Sequence, residues 1–307
     1  MIADVLYAIH QLAEQHPAAA RELAQVERLP IPAVTFGAAG PVPVLIVVGG
    51  VHGIERIGAE VAIAFLTALG SRLSWDQVWR HALARCRIVV LPLLNPVGMA
   101  LGQRANGNGV DLMRNAPPSR GRATPLLGGQ RLTPKLPWFM GRRGLEVESR
   151  ALVELVASET RDAPFAFALD LHSGYGVVDR LWYPYARTRE PIADVAAVRA
   201  FGALLDESLP NHVYTFEQTA RAYTIKGDLW DHIYDERRTV LLPLTLEMGS
   251  WAWVRKNPLQ GLSPLGRFNP IKPHRHRRTL RRHLPLLELL VHATVSYRAW
   301  VPSSSSR

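Results

Sequence analysis

His52 and Glu55 stand three positions apart, just after an apolar run, Val42–Val48, that ends in Gly49 and Gly50. Imidazole and carboxylate both suit a first-row metal ion, and where a strand turns into a helix this spacing lets them converge on one point. Gly49, Gly50 and Gly53 remove side chains, so the backbone can turn sharply beside a ligand. Such a pair also arises by chance, and alone it defines nothing. A second apolar run, Phe165–Leu171, leads directly into His172. Ligands of open α/β sheets gather at the carboxyl ends of strands. Together His52, Glu55 and His172 would form a two-imidazole, one-carboxylate set with a fourth tetrahedral position open to water, the arrangement of catalytic zinc. The other reading of His172 is a hydrogen-bonded core histidine.

Glu247 closes a further run, Thr239–Leu246. A carboxylate there costs several kcal/mol to bury without a partner. It reads either as the general base for a metal-activated water or as an exposed acid capping the strand. Arg104 and Arg114 follow the run Arg87–Leu94. A guanidinium can grip a carboxylate bidentately or stabilise an oxyanion, and each can equally be a solvated loop arginine. Asp111 could orient a ligand histidine from behind.

These residues need a scaffold. The four runs above read as buried strands, with weaker candidates at Ala33–Phe36 and Leu181–Tyr185. Helical spacing marks Arg56–Leu69, through Ile57, Val61, Phe65 and Leu69. Glu146–Glu159, Pro191–Leu209 and Arg278–Trp300 also read as helices. Alternating strands and helices predict a three-layer α/β/α sandwich around a mixed, mainly parallel central sheet. No linker-like shift in composition interrupts the chain, so a single domain over 1–301 is expected, with a disordered tail at 302–307. The stretch Ala116–Gly144 is rich in Pro, Gly and Arg and predicts a long functional loop.

Composition narrows the possibilities. Apolar residues at 48% and charged residues at 20% exclude a disordered, collagen-like or coiled-coil chain. Cys86 is the one cysteine, so neither an intrachain disulfide nor a cysteine-built metal site is available. It is expected to be inert, in or beside a buried strand. With no apolar stretch of membrane-spanning length and no secretory signal at the start, a cytoplasmic protein without membrane association is expected. The net charge of +10 gathers around Arg275–His283 and again between Arg114 and Arg143. No helix-turn-helix, zinc finger or RNP signature accompanies it, so a solvated helix start and a substrate-facing basic rim are favoured over nucleic acid.

Taken together, the motifs resemble those of the zinc carboxypeptidase superfamily, the carboxypeptidase A-like metallopeptidases. They run in the family's order: H-G-x-E at His52 and Glu55, N-P-x-G at Asn95, G-V-D-x-x-R-N from Gly109, L-H-S-G at Leu171, and the late Glu247. Each is weak alone; five in order, three at predicted strand ends, form a specific signal. The resemblance implies a phosphorylase/hydrolase-like sandwich and one zinc ion held by His52, Glu55 and His172. It implies Glu247 as general base and acid, and Arg104 polarising the scissile carbonyl. Arg114 would anchor a terminal carboxylate, and Asp111 would back the first zinc histidine. Tyr223 is similar to the family's mobile active-site tyrosine, with Asp231 as a downstream pocket acid and Trp230 beside it. The implied substrate is a peptide or amide bearing an acidic group.

One position departs. The family usually has Asn before the carboxylate-binding arginine, and this chain has Met113. A thioether neither donates nor accepts well, which argues against strict exopeptidase action. It keeps open an N-acyl amino acid amidohydrolase similar to aspartoacylase and succinylglutamate desuccinylase. A non-catalytic binding protein on the same fold is a third reading. Oligomeric state is not legible.

Overall fold

The computed structural model describes residues 2–15, 19–118, 123–237 and 241–302. Its first half runs α1 (Ile2–Gln15), β1 (Ala19–Val26), β2 (Leu29–Gly37), β3 (Val44–Gly49), α2 (Arg56–Leu73), α3 (Gln77–Leu83), β4 (Arg87–Leu91), α4 (Pro96–Leu101) and α5 (Val147–Thr160). Then come β5 (Ala166–Ser173), β6 (Arg180–Tyr183), α6 (Val195–Ser208), β7 (Thr215–Gln218), α7 (Leu229–Glu236), β8 (Leu241–Met248), α8 (Trp251–Lys256), α9 (Pro264–Phe268), α10 (Pro273–Val295) and α11 (Tyr297–Trp300).

The strands form one sheet in the order β1-β2-β4-β3-β5-β8-β6-β7. Its centre, β4-β3-β5-β8, is parallel. β2 joins one side antiparallel and β6 the other, so the sheet is mixed with a parallel middle. Every residue of β3 and β5 is buried, as expected for strands covered on both faces. Alternation then sorts side chains between two cores. Leu45 and Val47 of β3 face a core that includes Ile9 of α1, Phe65 of α2 and Leu290 of α10. Val44, Ile46 and Val48 face Leu152 and Leu155 of α5 and Ile233 of α7. The predicted three-layer sandwich is what the chain forms.

The differences from the sequence reading lie at the margins. Strand β1 carries Arg21 and Glu22 and pairs on one side only, so it shows no apolar run. Helix α1 buries Val5, Ile9 and Leu12 at helical spacing, its apolar residues interrupted by Asp4, His10, Gln11 and Glu14. The last predicted helix begins earlier, at Pro273, and breaks at Ser296. The stretch Ala116–Gly144 has no helix or strand among its described residues; one isolated bridge, Gln130 to Phe139, crosses it. Residues 303–307 of the expected tail lie outside the described residues. No single described helix is long and apolar enough to cross a membrane.

Parallel β3, β5 and β8 bring three chain reversals to one edge. The segment leaving β3 carries His52 and Glu55, β5 ends at His172–Ser173, and β8 places Glu247 beside His172 in register.

Candidate metal centre and substrate cleft

The turn after β3 is shaped by close backbone packing. A Cβ on Gly53 would lie 1.9 Å from the carbonyl carbon of Gly98, so only glycine fits there. Gly98 belongs to α4, whose N-cap is Asn95. The Asn95 side chain accepts from Gly98 N at 2.8 Å and donates to the carbonyls of Val51 and Ala105, both at 3.2 Å. The N-P-x-G motif is therefore a helix cap that also binds the His52 turn to the Arg104 loop. Glu55 occupies the N-cap position of α2 without capping it, which leaves the carboxylate free for other work. A distant residue holds this helix start: Asn269 accepts from Ile57 N at 2.9 Å and donates to Ile54 O at 2.8 Å.

Donor atoms of His52, Glu55 and His172, all buried, lie within 4.8 Å of one another. Donors bound at about 2 Å to one tetrahedral centre stand a little over 3 Å apart, so a small side-chain movement would bring the three onto a shared ion. Each imidazole meets the surrounding protein through Nε2. His52 Nε2 is 2.7 Å from Arg104 Nη2, and His172 Nε2 is 2.8 Å from Asp170 Oδ2. His52 Nδ1 is left buried without a hydrogen-bond partner, and His172 Nδ1 faces Glu55 Oε2 at 3.1 Å. An orphaned imidazole nitrogen beside a buried carboxylate is what a metal ligand looks like before the ion is placed. Two imidazoles with one carboxylate is the donor set of catalytic zinc.

The charges of the two imidazoles differ, His52 being neutral and His172 protonated beside its two carboxylates. Burial, and then Arg104, lower the pKa of His52 to about 3 and keep it neutral, the ligand form. Burial would raise Glu55, but His52, His172 and Arg104 together bring it down to about 2. Burial would also lower His172; Asp170 and Glu55 outweigh it and hold it well above the ordinary value. Glu247 is the opposite case: burial and the nearby Glu55 push it up to about 8. Its Oε1 accepts from Tyr175 N at 2.9 Å, so it is a buried, positioned acid rather than an exposed strand cap.

Arg104 crosses the mouth of the cluster, donating to Glu55 Oε1 at 2.7 Å and to Asp111 Oδ2 at 3.0 Å. Arg114 is buried; it donates to the same Asp111 oxygen at 2.9 Å and to Leu127 O at 2.8 Å. Asp111 Oδ1 is 3.9 Å from His52 Nε2, beyond hydrogen-bond length. Asp111 thus holds two arginines, and Arg104 stands next to His52. Burial would raise the Asp111 carboxyl, but Arg114 and Arg104 keep it well below its usual range.

One cleft is lined by His52, His172 and Glu247, by Arg104 and Arg114, and by Tyr223. Met113, Trp182 and Asp228 also line it. Tyr223 packs against Tyr175 and Trp182 with ring centres 5.6 and 5.7 Å apart. Asp231 reaches the cleft, but both its oxygens accept backbone N–H groups, of Ala186 and Arg187, so it fixes that loop. Of the second basic cluster, Arg131, Lys135, Arg142 and Arg143 are exposed and do not line the cleft; Arg120 and Arg122 lie outside the described residues. Cys86 is buried and free, its thiol pushed up to about 12 by burial, as an inert cysteine should be.

Two supporting residues were not singled out in the sequence. Asp170 binds both His172 and the indole N–H of Trp230, the latter at 2.8 Å. Asn269 lies more than two hundred residues from the turn it ties. The Asp-x-His spacing before His172 was the one available signal for Asp170; nothing local marks Asn269.

A parallel-centred sheet with two imidazoles and a carboxylate at its carboxyl edge defines an α/β protein built around a metal site. The chain belongs to the zinc carboxypeptidase family, whose sequence profile matches residues 5–253. The fold is similar to that of thrombin-activatable fibrinolysis inhibitor (TM-score 0.73, 17% identity, 96% of this chain and 74% of that one). The bovine form, in complex with tick carboxypeptidase inhibitor, gives 0.72 at 15% identity, covering 96% and 97%. Carboxypeptidase A from Helicoverpa armigera gives 0.70 at 17% identity, covering 94% and 71%. At such identities the likeness is one of fold. No curated protein matches the sequence. The family is one of zinc enzymes, and the His52–Glu55–His172 cluster fits its single metal ion.

Proposed function

We propose that the protein is a zinc-dependent carboxypeptidase that cuts an amide bond next to a carboxylate-bearing residue. The observation that carries the reading is the convergence in one cleft of the His52–Glu55–His172 cluster, the buried Glu247 and two arginines of different reach. Zinc held by the three ligands supplies Lewis-acid chemistry, acidifying water and polarising a carbonyl. Ionised beside the bound cation, Glu247 would take the proton of the attacking water and return it to the leaving amine nitrogen. Arg104 holds the oxygen on which negative charge develops. Arg114 anchors the substrate carboxylate, and Tyr223 closes against the scissile region from the aromatic wall.

A second reading, an N-acyl amino acid amidohydrolase, is favoured by Met113. This thioether lines the cleft beside Arg114, where an amide would otherwise share a terminal carboxylate. The two separate in one experiment. The purified protein is given peptides with free and with amidated C-termini, N-acyl-aspartate and N-acyl-glutamate, each with and without a chelator. Release of the C-terminal residue from free-ended peptides only, lost on chelation and restored by zinc, is the expected result. Preference for the N-acyl amino acids establishes the second reading. No hydrolysis of any substrate by protein carrying stoichiometric zinc would overturn both.

A further inference from the structure

The positive charge of the molecule gathers in two segments, Arg114–Arg143 and the stretch around Arg275–His283, and the second forms a substructure of its own. The whole chain has 36 Lys and Arg against 26 Asp and Glu. Residues 248–287 hold nine of the basic residues and none of the acidic ones, so the rest carries 27 against 26 and is nearly neutral. The site described above uses none of these nine. Most of the segment also lies beyond the part of the chain that matches the family profile, which ends at residue 253.

The structure makes this segment a lobe. Helix α8, the 3-10 turn Pro258–Leu262 and α9 pack on one another, and the start of α10 is fastened to them. Arg275 does the fastening, donating to Trp253 O at 3.0 Å and Lys256 O at 3.2 Å. The lobe is not a well-sealed surface. Leu259 is 76% exposed and Leu262 78%, with Trp251 and Ile271 about half exposed. Around them Arg255, Lys256, Arg267, Lys272, Arg277 and Arg278 are exposed, and none of these six has an ion-pair partner among the salt bridges of the described residues. Four exposed apolar side chains within one short segment that carries no acidic residue mark a candidate interaction surface.

We propose that this lobe docks the protein on an anionic lipid bilayer. Cations alone would suit any polyanion. The combination with protruding leucines and a tryptophan suits an interface that offers both negative headgroups and hydrocarbon. Nucleic acid would satisfy the arginines and leave Leu259 and Leu262 in water. The lobe is fastened to the chain just after His172: Trp251 donates to Gly174 O at 3.0 Å, and Ser173 donates to Phe268 O at 2.7 Å. Docking would therefore hold the substrate cleft close to the membrane surface. The proposal does not depend on which amide the cleft hydrolyses.

Flotation of the full-length protein with phosphatidylcholine vesicles, with and without phosphatidylglycerol, tests it. Two variants accompany the wild type, Leu259→Ser with Leu262→Ser, and Arg277→Glu with Arg278→Glu. These side chains are exposed, so both variants are expected to keep wild-type circular dichroism. The wild type is expected to float with anionic vesicles only, more weakly at high salt. The charge reversal should weaken binding at least tenfold, since each cation near such a surface contributes about fivefold. The leucine pair should also weaken it severalfold. No binding to anionic vesicles overturns the proposal. So does a leucine variant that binds like wild type while DNA or polyphosphate competes fully, because the lobe is then a polyanion site.

Discussion

Replacing Glu247 by Gln keeps the side chain's length and a carbonyl oxygen for the Tyr175 N–H, and removes only the group that takes a proton. Turnover is expected to fall by about 10²–10⁴, the usual contribution of a positioned general base. Zinc content measured on the same protein should stay stoichiometric. At Arg114 the charge matters less than the planar fork. Arg114→Lys is expected to raise KM for substrates with a free carboxylate about tenfold or more and to leave amidated ones little changed. Equal effects on both would place Arg114 outside carboxylate recognition. At this scale the sequence was most readable where a polar residue follows an apolar run. His52, His172 and Glu247 stand out because each comes at or just after the end of a mostly apolar run. Asp170 has only the Asp-x-His spacing as a local mark; its role depends on His172 and Trp230, which the fold brings to it.

Helix α10 is docked through a buried polar set. His283 Nδ1 meets the Tyr214 hydroxyl at 3.0 Å, and Asp179 accepts from Arg282 at 2.9 Å and from Gly249 N at 2.9 Å. Burial, aided by Arg282 and opposed by Asp179, lowers His283 from 6.5 to about 4. The unfolded chain takes up a proton near pH 6.5 that the folded one refuses until about pH 4. Stability is thus fully present above pH 6.5 and falls as pH drops toward 4, by about 3 kcal/mol at about 1.4 kcal/mol per unit. Urea unfolding across this range should show a shallower slope in His283→Gln than in wild type. The turn after β3 has its own test. Gly53→Ala must push a methyl into the backbone of Gly98, and a loss of several kcal/mol, read from the same unfolding curves, is expected. Elements were legible in proportion to their burial. The fully buried β3 and β5 showed as apolar runs, whereas β1 and α1 face solvent on one side and have their apolar residues interrupted by charged and polar ones.

Over the whole molecule, the metal should act as a structural ligand as well as a chemical one. Free zinc at a thousand times its Kd would stabilise the folded state by about 4 kcal/mol. Chelation is therefore expected to lower the melting temperature by several degrees, and re-addition of zinc to restore it. A melting curve indifferent to both would mean that the cluster does not bind the ion. The sandwich itself was visible as alternating patterns, but contacts between ends of the chain were not, because hydrophobic periodicity carries no record of partners far apart in sequence. Asn269 is the clearest instance, and it bears on synthesis. The ribosome delivers His52 and Glu55 first, and the amide that steadies their turn follows more than two hundred residues later. Until that amide is made, the growing chain holds its first two candidate ligands on a turn that lacks its tie.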